Sequence, residues 1–299
     1  KGHTTLSLKE AIRMGMAEGP RMMLCGRPLT ITGGHMWYFG SEADGIDSVR
    51  REVRQLVKEG VDYIKIVATG GSTRTSYPSL PSYNVDELRA IAQETQKFGK
   101  LTATHCGSTQ GIINSLDAGI DMIIHCIFAE PDGTYNFRQD VAERIGEAGA
   151  YVNPTIHVNR SQLLRLQNKE KQEGLTEQER LHLERAQRSH EARLEDTHRM
   201  MSMGLKVIAG SDSAWGVYPM GGFVHELECL VEAGFSPSQA VLAGTRESAK
   251  SIGLGDVAGT LEPGRPADIL VVDGNPDQDI KALWEVVAVF LDGGLVHSR

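Results

Sequence analysis

The chain has 299 residues, 40% of them hydrophobic, which is enough for a sizeable core and for one large or two ordinary domains. Its net charge is −8 and no basic cluster stands out, so recognition of nucleic acid through phosphate contacts is not expected. No apolar run approaches the roughly 18 residues that cross a bilayer, no secretory signal opens the chain, and the four cysteines (Cys25, Cys106, Cys126, Cys229) form no CxxC pair; a soluble, cytoplasmic protein with reduced, mostly buried thiols and no membrane partner is expected.

The chain opens at Lys1 in what reads as a loop and enters a helix over residues 8–18. Residues 22–32 are largely apolar and end at Gly33, Gly34 and His35, as a strand would. An amphipathic helix follows over 46–59, with Ile46, Val49, Val53, Leu56 and Val57 on one stripe and Gly60 at its end. The next strand, DYIKIVAT at 62–69, closes at Gly70 and Gly71, and a Ser/Pro/Tyr loop over 72–83 is long enough to cover a site. Asn84 and Glu87 form a capping pair for a helix whose apolar face is Val85, Leu88, Ile91 and Ala92 and which Gly99 ends.

The stretch from 101 to 126, LTATHC…DMIIHC, holds two short apolar runs, each ending in His-Cys, with a helical segment at 108–118 between them. Further strands are expected at 122–125, 151–156 and 206–212, each preceded by a glycine. The strands are near-continuous apolar runs, as in a parallel sheet covered on both faces. None of the glycine pairs forms GxGxxG or GxxxxGK[ST], so a nucleotide-binding open sheet has little support. An α/β barrel of TIM type, with its chemistry at the carboxyl ends of the strands, is the expected fold.

The polar residues in or just after those strands are His35, Lys65, His105, His125, His157 and Asp212. His105 and His125 are 20 residues apart, about one helix with its turns, so both rings could arrive at the same edge of a parallel sheet as metal ligands. Lys65, between Tyr63, Ile64, Ile66 and Val67, would bury an ammonium group. Such a charge is costly and is paired or removed, for example by carbon dioxide as a carbamate bridging two metal ions. Each of the others also has a plain reading: Asp212 as a helix N-cap, His35 as a loop residue, His157 as a rim residue. A zinc shared by a histidine and its neighbouring cysteine is disfavoured, because adjacent strand residues point to opposite faces.

Residues 159–203 are rich in Glu, Arg, Gln and Lys and split at 173–176 into two helical arms. His182, His190 and His198 recur there every eight residues, a spacing that drifts around a helix, so they read as surface or packing residues. Short strands with glycine and proline turns are expected at 259–261, 268–273, 286–291 and 295–297.

Lys65, His105, His125 and Asp212 lie in DYIKIVATGG, ATHC, IIHC and AGSDS, and the run GTLEPGRPADILVVDGNPDQDI follows from Gly259 to Ile280. On these motifs the sequence resembles the amidohydrolase superfamily, in its imidazolonepropionase-like and prolidase-like branch. The resemblance implies a (β/α)8 barrel over 1–252, with a helical insertion at about 159–203, and the C-terminal part of a small β-sandwich over 253–299. It implies one or two divalent ions, zinc above all, with Lys65 carboxylated and bridging them. His105 and His125 would hold the second ion, while Asp212 would hold the first and act as general acid and base. His35 and His157 are assigned to substrate binding. The implied substrate is a small amide-like molecule, a dipeptide or N-acyl amino acid, with ureas and carbamates next. Arg74, Tyr77, Tyr83 and Arg160 are candidates for holding its carboxylate.

Counting back from Lys65 as strand four, only strands three to eight are accounted for, and no HxH pair, which the family carries on strand one, occurs in the sequence. The chain is therefore expected to be part of a longer enzyme or to be completed by another polypeptide. A catalytically inactive barrel used for binding is the alternative. A homo-oligomer is expected.

Overall fold

The computed structural model describes residues 4–213 and 220–299. Lys1, at the opening of the chain, and Ala214 and Trp215, which end AGSDSAW, lie outside them. The chain divides into two compact units, one running to Val152 and the other from Asn153 to Arg299.

The first unit runs α1 (Thr4–Arg13), β1 (Leu29–Thr30), β2 (Ser41–Glu42), α2 (Ile46–Glu59), β3 (Ile64–Val67), α3 (Val85–Lys97), β4 (Thr102–His105), α4 (Thr109–Asp117), β5 (Met122–Ile124) and α5 (Gln139–Ala148), with β6 (Tyr151–Asn153) at its end. α2 follows the stripe expected of it, burying Val49, Val53 and Leu56, and ends at Gly60 with φ 91°. α3 opens on a complete capping box, in which the Asn84 side chain accepts from Glu87 N at 3.0 Å and the Glu87 carboxylate accepts from Asn84 N at 3.0 Å. α2 packs on α3, α3 on α4 and α4 on α5, so their apolar stripes form a continuous layer. β3 buries Ile64, Ile66 and Val67 and leaves Lys65 half-buried.

Only Leu29 and Thr30 of the expected strand at 22–32 join the sheet. Upstream, Gly26 takes a left-handed φ of 63°, Pro28 has no N–H, and Leu24 N donates to the Asp62 side chain at 2.6 Å, so the ladder cannot extend. β2, which the sequence pattern does not suggest, pairs parallel to β1.

The second unit holds α6 (Ile156–Gln172), α7 (Glu177–Ser202), β7 (Lys206–Val207), α8 (Phe223–Glu232), α9 (Pro237–Gly244), α10 (Arg246–Ser251), β8 (Ile269–Val272), a 3-10 helix (Ile280–Trp284), β9 (Val286–Leu291) and β10 (Gly294–Ser298). The two expected helical arms are α6 and α7, and the turn between them ends in a second capping box at Thr176 and Glu179. The parallel strands follow the order β2-β1-β3-β4-β5-β6-β7, while β8, β9 and β10 form a separate antiparallel sheet. The fold is therefore α/β with a small all-β element. The strand expected at 259–261 is irregular, because Gly259, at φ 93°, lies so close to α10 that a Cβ there would stand 2.9 Å from the Arg246 Cα. No helix among the described residues is long and apolar enough to cross a membrane.

Candidate active site

β3, β4 and β5 are parallel neighbours, with Lys65 opposite Ala103, Val67 opposite His105 and His105 opposite Ile124. This register brings Lys65 and the two His-Cys motifs to one region of the first unit. The His105 and His125 rings lie 4.6 Å apart at 76°, and His35, in the loop after β1, lies 4.8 Å from His105. Three imidazoles thus form a row beside a lysine. At the end of β5 the chain turns abruptly, with His125 at φ 68° and Cys126 at φ 52°, both in the left-handed region that costs non-glycine residues roughly 1–2 kcal/mol each.

Burial pushes the His105 ring down to about 3, the Lys65 charge acting in the same direction. Burial, then Lys65, pushes His35 down to about 4. Both rings are neutral at pH 7. His105 Nε2 lies 3.0 Å from the Gly70 carbonyl oxygen, which only an N–H can approach, so Nε2 carries the proton and Nδ1 the lone pair. A neutral imidazole with one nitrogen tied to a backbone carbonyl is the form in which histidine usually binds a metal. Cys106 faces the other way, its Sγ 3.3 Å from Thr104 Oγ1 and 3.4 Å from Ser115 Oγ, and burial pushes its thiol up. All four cysteines are free thiols, three of them buried.

Among the described residues, no three His, Cys, Asp or Glu side chains are grouped to hold a metal ion. The donors that fit one here are His105 and His125 with Lys65 on β3, the strand beside β4. As an ammonium, Lys65 repels protons and metal ions from this region; as a carbamate it would attract a cation.

Asp212 and His157 belong to the second unit. Asp212 follows β7 with φ 47° and an exposed side chain. His157, expected at a rim, is instead 3% exposed, because it lies in the first turn of α6. It stacks on His225 at 4.5 Å and 16°, and His225 in turn lies 4.6 Å from Trp284. Burial, then the neighbouring His225, pushes His157 down to about 4.

α6 is capped from outside itself. Thr155, at φ 50°, makes no side-chain cap, and the fully buried Glu226 carboxylate accepts from Ile156 N at 2.9 Å and His157 N at 2.7 Å. Burial pushes Glu226 up to about 7 against those bonds, and the Asp212 charge adds to the rise. Beside α6 lies a cavity of about 860 Å³, lined among others by His157, Ser161, Arg165, Met220, His225 and Trp284.

Two of the proposed carboxylate-binding residues are committed elsewhere. The buried Tyr83 hydroxyl donates to the Ala43 carbonyl at 3.0 Å, and Arg160 pairs with Glu228 at 2.9 Å and Glu232 at 3.2 Å. Arg74 and Tyr77 remain exposed. His182 is exposed, His190 Nε2 stands 3.7 Å from Glu232, and His198 Nδ1 lies 3.0 Å from the Ala233 carbonyl, so the eight-residue series serves surface and packing. Sequence reasoning did not single out Thr73, Glu226, His225 or Trp284. Thr73 lies in the loop over 72–83 that the sequence marks as long enough to cover a site, but no residue pattern picks it out.

The model of the amidohydrolase family matches residues 2–296. The chain belongs to the amidohydrolase family. Among other members, it is 26% identical to ochratoxinase of Aspergillus niger over 308 residues, covering 94% of this chain and 60% of that protein. It is 31% identical to imidazolonepropionase of Thermoplasma volcanium over 108 residues, covering 35% of this chain and 26% of that protein. The crystal structure of a Xaa-Pro dipeptidase with bound methionine in the active site superposes with a TM-score of 0.83 at 27% identity, covering 100% of this chain and 73% of that structure. This amidohydrolase chain thus spans about 60% of the length of the curated ochratoxinase it matches.

Proposed function

We propose that this amidohydrolase is a metal-dependent hydrolase that cleaves the C–N bond of a small amide, a dipeptide or an N-acyl amino acid. The observation that carries this reading is the row His35, His105, His125 beside Lys65, at and just beyond the ends of adjacent parallel strands. In this reading the parallel sheet closes as a (β/α)8 barrel and the β8-β9-β10 sheet is part of a β-sandwich.

His105 through Nδ1, together with His125 and a carboxylated Lys65, would hold zinc, and Asp212 would complete the set. A bound zinc would supply Lewis acidity for water activation at neutral pH and for the carbonyl under attack. Asp212 takes a proton from the attacking water and returns it to the leaving nitrogen, a transfer that typically contributes roughly 10²–10⁴-fold. His35 donates to the developing oxyanion. In the second unit, the flat faces of His157, His225 and Trp284 and the charge of Arg165 suit a substrate that joins an apolar group to a carboxylate.

Metal analysis of the purified chain, with hydrolysis of a panel of dipeptides and N-acyl amino acids before and after chelation, tests this. Bound zinc, and activity that chelation removes and zinc restores, are expected. Undiminished hydrolysis without metal, or a zinc-loaded chain inert towards the whole panel, would refute it. Turnover confined to aryl ureas or carbamates would move the substrate class and keep the chemistry.

A further inference from the structure

His35 reaches its place through two loops that Thr73 and Thr75 tie together. Thr75 Oγ1 donates to the Gly33 carbonyl at 2.8 Å, and Thr73 Oγ1 accepts from Met36 N at 3.1 Å. Between these anchors the His35 ring lies against Gly71 so closely that a Cβ there would stand 2.4 Å from Cδ2 and 2.5 Å from Nε2. Thr30 Oγ1 fixes the residue from behind by donating to the His35 carbonyl at 2.8 Å. The ring is 5% exposed.

Thr73 presents two donors to one ring nitrogen. Its hydroxyl oxygen is 2.8 Å from His35 Nδ1, and its backbone N–H points at the same nitrogen from 3.4 Å. Were Nδ1 protonated, it would face that backbone N–H head-on. The arrangement is consistent only if Nδ1 carries the lone pair, the hydroxyl accepts from Met36 N, and its own hydrogen turns to Nδ1. In a neutral imidazole the proton must then sit on Nε2. Among the described residues none accepts a hydrogen bond from Nε2.

We infer that Thr73 is a positioning residue that locks His35 in the Nε2–H tautomer, so that His35 works as a neutral hydrogen-bond donor to the substrate's carbonyl oxygen and not as a base. The inference rests on the hydrolase reading for its catalytic consequence but not for the tautomer itself. A base at this place would need its lone pair toward the substrate, and Thr73 turns that lone pair to the protein. The role of the hydroxyl is directional: Thr73→Ser keeps it, and Thr73→Val removes it at nearly constant shape.

The experiment reads the tautomer directly. The full 299-residue chain is labelled with 15N-histidine, His35 is assigned with His35→Gln, and long-range 1H–15N spectra are recorded at neutral pH. Expected are an unprotonated Nδ1 and a protonated Nε2 in the natural protein and in Thr73→Ser; in Thr73→Val only the long 3.4 Å backbone contact still opposes a proton on Nδ1, and a share of the Nδ1–H tautomer should appear. A protonated Nδ1 in the natural protein, or an unchanged spectrum in Thr73→Val, overturns the inference whether or not the protein hydrolyses anything. On any substrate that is turned over, Thr73→Val should lower kcat about tenfold with KM little changed, less than the roughly 10²–10³-fold of deleting an oxyanion donor outright. Thr73→Ser should restore it. If no substrate is found, the spectra still decide the tautomer and only the hydrolase reading fails.

Discussion

Replacing Glu226 by glutamine isolates what this buried carboxyl does to the second unit. Its ordinary value of 4.5 rises to about 7 on burial, so between those pH values the folded protein retains a proton that the unfolded chain releases. Raising pH through that window therefore withdraws stability, by about 3 kcal/mol in all for a shift of this size. Below it, acid and amide are both neutral. There the natural protein should lead, because the carboxyl offers an oxygen to each of Ile156 N and His157 N, whereas glutamine offers one oxygen and turns its NH2 toward the other donor. That mismatch costs about 1–3 kcal/mol at every pH. Urea denaturation of both proteins from about pH 4.5 to 8, followed by fluorescence and circular dichroism, measures the gap between them while the other titrating groups cancel. The natural protein's advantage should shrink as pH rises and vanish or reverse near pH 8. A gap that stays constant, or that widens with pH, would show that Glu226 is not held as a desolvated acid.

Asn84→Ala removes the capping box of α3 and should cost about 1 kcal/mol, seen as a lower urea midpoint; no loss would mean the box is not formed. Ile145→Ala, at a fully buried position of α5, should cost about 2–5 kcal/mol in the same measurement, and a change under about 1 kcal/mol would place Ile145 outside the core. Lys65→Ala should abolish zinc uptake as read by metal analysis, and an unchanged zinc content would remove Lys65 from the proposed ligands. His35→Ala should lower kcat/KM by roughly 10²-fold or more on a working substrate, and unchanged constants would end its role as an oxyanion donor.

The features legible in the sequence were those whose cause lies within a few residues. The Asn84–Glu87 box, the Gly60 terminus and the turn before Thr176 were all readable, because a cap is decided by side chains one turn apart. Lys65, His105 and His125 stood out by interrupting or ending apolar strands, and the structure gathers them with His35 in one region. The extent of β1 could not be read, because the segment before it bonds to Asp62, 38 residues away. Thr73 and Glu226 were invisible for the same reason. Thr73 acts on a ring 38 residues earlier, and Glu226 caps a helix that begins 70 residues before it. Two arginine and tyrosine candidates failed because nothing local reveals that Arg160 is neutralised by α8 or that Tyr83 points into the core.

The left-handed backbone at His125, Cys126, Thr155 and Asp212 sets a limit on how this protein can be made sturdier. A glycine at any of the four would relax the main chain, and a stability screen blind to activity would select it. At His125 and Asp212 that same exchange deletes an imidazole and a carboxylate to which the proposed hydrolase reading assigns the chemistry. If that reading holds, heat-tolerant variants chosen without a turnover assay would drift toward durable but inert forms, and the torsional tension at these positions would mark where robustness was given up.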